Sequence, residues 1–153
     1  YVNNLLAEVE EIENTQKIDN SIKDKFVLLV DFIFYDEEIN GKTFKELSTT
    51  TKLKVLELFL KLDSKIETKF PNYKNTISTK GNKVYTNVKN KALNTYFDIT
   101  TEACDNNQEL CNTAKEGLKD MKESFSLTWD FIKEMSGAGI SKLKTWYEIW
   151  RDL

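Results

Sequence analysis

Cys104 and Cys111 lie seven residues apart in Glu102-Ala103-Cys104-Asp105-Asn106-Asn107-Gln108-Glu109-Leu110-Cys111, and the chain has no other cysteine and no histidine. Two thiolates without further sulfur or imidazole donors cannot complete a four-ligand zinc site. The chemistry left to them is a disulfide closing a tight corner between two helices. A bridge over so short a loop removes denatured-state entropy equivalent to about 2.5 kcal/mol. Disulfides persist outside reducing compartments, so the pairing predicts an extracytoplasmic protein, secreted or held at a cell surface. Two buried free thiols in a cytosolic bundle are the competing reading.

Asp36-Glu37-Glu38-Ile39-Asn40-Gly41 sets oxygen-bearing residues at positions 1, 3 and 5 and Gly at 6, like the first half of an EF-hand calcium loop. Positions 9 and 12 then fall on Phe44 and Leu47, so the bidentate glutamate is missing and no calcium is expected. The segment reads instead as a helix stop at Asn40-Gly41, followed by the capping box Thr43-x-x-Glu46.

The absence of histidine excludes Ser-His-Asp, Cys-His and histidine acid–base mechanisms. The glycine pair Gly137-x-Gly139 forms no phosphate-cradling loop. Carboxylates fall mainly on polar helix faces; Asp31, inside an apolar run, is the exception, expected at a solvent-facing notch or paired with a lysine. The chain therefore reads as a non-enzyme with no cofactor and no metal.

Aromatic residues offer a different chemistry. Trp146, Tyr147 and Trp150 share a closing amphipathic segment with Ile140, Leu143 and Leu153. Rings of this kind serve as anchors at protein interfaces and at the edge of lipid. The three are the expected contacts for a partner protein, unless the segment folds back to cap the core. Membrane contact through this helix is the weaker alternative, because its polar face mixes Lys142, Lys144 and Arg151 with Glu148 and Asp152. Its heptad-like spacing also leaves room for a homodimer.

The elements that must position these groups are helices. Phe26-Val27-Leu28-Leu29-Val30-Asp31-Phe32-Ile33-Phe34-Tyr35 is apolar at all positions but one. It is too short to span a bilayer, which needs about 20 residues. Ile22, Phe26, Leu29, Val30, Ile33 and Phe34 keep a helical phase, which predicts a central helix over about 21–36 surrounded by others. A first helix is expected over 2–18, with Leu5, Val9 and Ile12 on its inner face. Ser48-Thr49-Thr50-Thr51 caps a long helix whose stripe is Val55, Phe59, Leu62, Ile66 and Phe70, ended by Pro71. After a loop from Pro71 to Gly81, Val84, Val88, Ala92 and Tyr96 mark another helix, closing near Ile99 to Ala103. Asp105-x-x-Gln108 then opens a helix over about 106–135, carried by Cys111, Ala114, Leu118, Met121, Phe125, Thr128, Trp129, Ile132 and Met135.

One Pro and five Gly in 153 residues give little punctuation for β structure. The sequence thus predicts one all-α domain over 1–153, a compact bundle of five to six mostly antiparallel helices. Charge is uneven: residues 1–40 hold ten acids and three lysines, residues 41–100 five acids and twelve lysines, residues 101–153 ten acids and seven bases. With a single arginine and a net charge of −3, nucleic acid is not an expected partner. The excess of Lys over Arg, with many Asn, suggests an AT-rich genome. The opening at Tyr1 rather than Met is expected of a processed product or of an excised piece of a longer chain, and either leaves room for an upstream signal or anchor. Together these features predict a non-enzymatic interaction domain, most simply at the surface of an AT-rich bacterium. A second expectation is a carrier of an apolar molecule or lipid, lined by Phe26, Phe34, Phe59, Phe125 and Trp129. A third is a membrane-active protein that releases its last helix through the Gly137–Gly139 hinge.

Overall fold

The computed structural model describes residues 20–39, 41–69, 88–124, 127–137 and 139–153. The all-α class is observed: the described residues form six α-helices and one 3-10 turn, and the sole β pairing among them is the bridge between Ile39 and Lys42. The chain divides into two compact units, Tyr1–Lys89 and Asn90–Leu153. The helix expected over 2–18, the loop from Pro71 to Gly81, Phe70, Val84 and Phe125 lie outside the described residues.

In the first unit, α1 (Asn20–Phe34) is the apolar run anticipated as a central helix. Phe26, Leu29, Val30 and Phe32 are fully buried, each contributing roughly 2 kcal/mol by leaving water. Phe26 and Phe34 both meet Phe59, at ring-centroid distances of 5.6 and 5.9 Å, so α1 packs on α2 (Thr49–Lys69). The helix stops because Asp36 turns into the left-handed region at φ 56°, a conformation Asp tolerates. The Tyr35 and Glu37 N–H groups then both donate to the Asp31 carbonyl, at 3.0 and 3.2 Å.

No helix ends at Gly41, where the residue types first suggest a stop, because α1 has already closed at Phe34. Ile39 and Lys42 exchange two backbone hydrogen bonds of 2.9 and 3.1 Å across this point. Gly41, at φ 81°, supplies the positive φ such a tight turn needs. The expected capping contact follows: the Glu46 carboxylate accepts from the Thr43 N–H and hydroxyl at 3.4 and 3.1 Å. It starts the 3-10 turn Phe44–Glu46, which lays Phe44 edge-on to Phe32 at 6.0 Å. Ser48 caps α2, its hydroxyl accepting from the Thr51 N–H at 3.3 Å.

In the second unit, α3 (Val88–Asn106, from Asn90 on) runs past the expected end near Ile99 to Ala103. Thr100 and Thr101 do not end it. Their hydroxyls each donate at 2.8 Å to the carbonyl four residues back, at Tyr96 and Phe97, which satisfies both groups without leaving the helix. After Asn107 the chain reverses into α4 (Gln108–Ser124).

The single helix expected over 106–135 is two helices. α4 closes at Ser124 and α5 covers Trp129–Ser136. Thr128 sits between them in extended geometry (φ −108°, ψ 155°), and its hydroxyl accepts from the Phe131 N–H at 3.2 Å. Asp130 follows in the first turn of α5, where a negative charge favours the helix dipole. A threonine N-cap interrupts a stripe whose three-and-four spacing continues in phase on either side. Gly137, left-handed at φ 63°, ends α5, and α6 (Ile140–Arg151) closes the unit, packed on α5.

Candidate functional site

Two features of the second unit hold the residues with chemical or recognition potential: the α3–α4 corner and the α6 helix. At the corner, Asn107 does the capping that the sequence pattern assigned to Asp105. Its N–H donates to the Ala103 carbonyl at 2.7 Å, and its side-chain oxygen accepts from the Leu110 N–H at 3.1 Å. This one-residue reversal brings Cys104 and Cys111 to a Cα–Cα distance of 4.5 Å, and they are bonded. Cys111 is buried and Cys104 half-buried. Further along the same hairpin the buried Tyr96 hydroxyl donates to the Ala114 carbonyl at 3.2 Å. The hairpin is therefore clamped twice, covalently at the corner and by a hydrogen bond two turns away.

The three aromatic residues expected to touch a partner are split by the structure. Trp146 and Trp150 are 2 and 6 % exposed, so they are core residues here and not surface anchors. Trp146 stacks on Phe97 of α3, centroids 4.9 Å apart and planes 20° from parallel. The Lys122 ammonium of α4 lies 4.9 Å from the Trp150 ring centre, a cation–π contact. Tyr147 is 44 % exposed and tilts against Trp129 of α5 at 5.1 Å. An exposed ion pair joins Lys142 to Asp98 at 3.5 Å. The segment thus folds back over α3, α4 and α5, as the capping alternative required. What it leaves outside is Tyr147 and, about two turns earlier, Ile140 at 89 % exposure.

Buried carboxylates occur in the first unit. Asp31 is 3 % exposed, at no solvent-facing notch, and its Oδ1 meets no hydrogen-bond partner. Asp63 was not singled out by sequence, yet it is wholly buried, with Oδ2 3.4 Å from the Lys89 ammonium. The signal existed: Asp63 lies four residues after Phe59 and three before Ile66, on the inner stripe. An acid in that phase must find a cation or pay a desolvation cost of several kcal/mol. No group of three or more metal-binding side chains gathers among the described residues. Asp36 pairs instead with Lys45 at 3.7 Å, both side chains well exposed, so the half EF-hand is a surface turn. No helix among the described residues is long and apolar enough to cross a membrane.

Comparison of the chain with protein-family models, with curated proteins and with solved structures finds no match. The class defined by the geometry is an all-α protein with one disulfide-locked helical corner.

Proposed function

We propose that this chain is a non-enzymatic helical interaction domain that works outside the cytoplasm. The observation that carries the interaction reading is the outer side of α6. A helix fixed to its neighbours by two buried tryptophans still exposes Ile140 almost completely and Tyr147 nearly by half. A rigid helix that shows apolar side chains to water is suited to binding, because little entropy is lost when a partner covers it. The compartment rests on the Cys104–Cys111 bond, since an oxidised pair persists where thiol buffers are absent. The contact surface is accordingly centred on Tyr147 and Ile140, with Trp146 and Trp150 holding the helix beneath it.

Ring-to-ring packing gives the carrier reading less support. Phe26 and Phe34 are in contact with Phe59, and Trp129 with Tyr147, so these side chains fill space together.

Native mass spectrometry on freshly purified, never-reduced protein tests the proposal. A bare protein two hydrogens lighter than its reduced form is expected. Reduced thiols would remove the extracytoplasmic assignment, and a stoichiometric co-purified lipid would replace the interaction domain with a carrier.

A further inference from the structure

We infer that α6 docks an acidic amphipathic helix of a partner protein along the stripe Ile140, Lys144, Tyr147 and Arg151. This inference rests on the interaction-domain reading and names the partner's chemistry. The four residues are spaced by four, three and four, which is one seam of a heptad pattern. All four are exposed, and they lie on the side of the helix turned away from the buried Trp146, Ile149 and Trp150.

Charge selects the occupant. Both ionised members of the stripe are cations. Among the described residues Lys144 has no ion pair and Arg151 pairs with the neighbouring Asp152 side chain at 3.4 Å, with both groups about 60 % exposed. So weak a surface contact exchanges readily for a better-placed carboxylate. A facing helix with apolar residues opposite Ile140 and Tyr147, and carboxylates opposite Lys144 and Arg151, satisfies every position of the stripe. A second copy of this chain does not: in parallel register cation meets cation, and in antiparallel register Lys144 and Arg151 face Tyr147 and Ile140 and find no carboxylate. An anionic lipid surface is also a poorer fit. The indoles that would enter it are committed to the core. The stripe is about 16 Å long at 1.5 Å per residue, so the interface is small and its exchange fast.

The test uses the oxidised full chain and a designed helical peptide of about three heptads, with Leu and Glu alternating along its seam. Its counterpart carries Lys at the Glu positions. Saturable binding of the Glu peptide is expected, with amide shifts confined to residues 140–151 and no binding of the Lys peptide. The double variant Lys144→Glu, Arg151→Glu should weaken binding about tenfold, as expected for reversing two exposed charge pairs, with an unchanged near-ultraviolet CD spectrum. No binding of the Glu peptide, equal binding of both peptides, or indifference to the double variant would overturn the assignment. So would binding to phosphatidylserine-containing vesicles, or a sedimenting dimer, that the same double variant abolishes. The mass-spectrometric result is independent of this titration: an oxidised, lipid-free protein that ignores the peptide refutes the docking assignment alone.

Discussion

Replacing Trp146 by alanine removes the side chain that fastens α6 to the rest of its unit. A buried tryptophan takes roughly 200 Å² out of water, and alanine restores about 50 Å² of that. The net loss of about 150 Å², at about 25 cal/mol per Å², is close to 4 kcal/mol. The stack on Phe97 at 4.9 Å adds about 1 kcal/mol. Trp146→Ala should therefore cost about 4–5 kcal/mol, a large part of the 5–15 kcal/mol typical of a folded domain. Tyr147→Ala, one residue on but 44 % exposed, should cost about 1 kcal/mol. Urea unfolding followed by far-ultraviolet CD separates the two, since about 4 kcal/mol moves the midpoint by roughly 2 M at common urea slopes. If Trp146→Ala lay within about 1 kcal/mol of the parent, or if Tyr147→Ala cost as much, α6 would not be docked as described. The partner-contact role would then return to the tryptophans.

Three further outcomes are expected. Reducing the Cys104–Cys111 bond should lower stability by about 2.5 kcal/mol, read as the difference between urea midpoints with and without a phosphine reductant. Thr128→Ala should destabilise by about 1 kcal/mol, because α5 loses its N-cap; a stabilising effect would instead indicate one unbroken helix, where alanine is the better residue. The buried acids should respond in opposite directions. Asp63→Ala leaves the Lys89 ammonium without the partner at 3.4 Å and should cost about 2–3 kcal/mol. Asp31→Leu removes a buried carboxylate oxygen that has no partner and should add about 1–2 kcal/mol, both measured by thermal or urea unfolding.

Much of the architecture was legible because it depends on periodicity. The run from Phe26 to Tyr35 could only bury so many apolar faces as an enclosed helix, and α1 is that helix. The hydroxyl run at Ser48, the Thr43/Glu46 pair and the Gly137 stop each announced an element boundary through local hydrogen bonding or a positive φ. The same locality explains the misreadings. Asn-Gly as a residue pair serves a helix end or a two-residue turn equally well, and the backbone bonds between Ile39 and Lys42 decided for the turn. Thr128 is one capping hydroxyl within a stripe that stays in phase, so periodicity alone could not register the break.

What the sequence determined by itself is therefore the helical class, several helix boundaries and the absence of any histidine chemistry, while the bond between its two cysteines was settled only by the one-residue reversal at Asn107. The first three follow from residue type and from contacts within a few residues. Tertiary structure alone decided which side of the last helix faces water, because Trp146, Tyr147 and Trp150 share one amphipathic segment and only a neighbour can choose among them. Phe97 and Lys122 claim the indoles, leaving Tyr147 and Ile140 outside. It likewise decided the fate of the acids: Asp63 is buried because Lys89, twenty-six residues further along the chain, lies within reach of it.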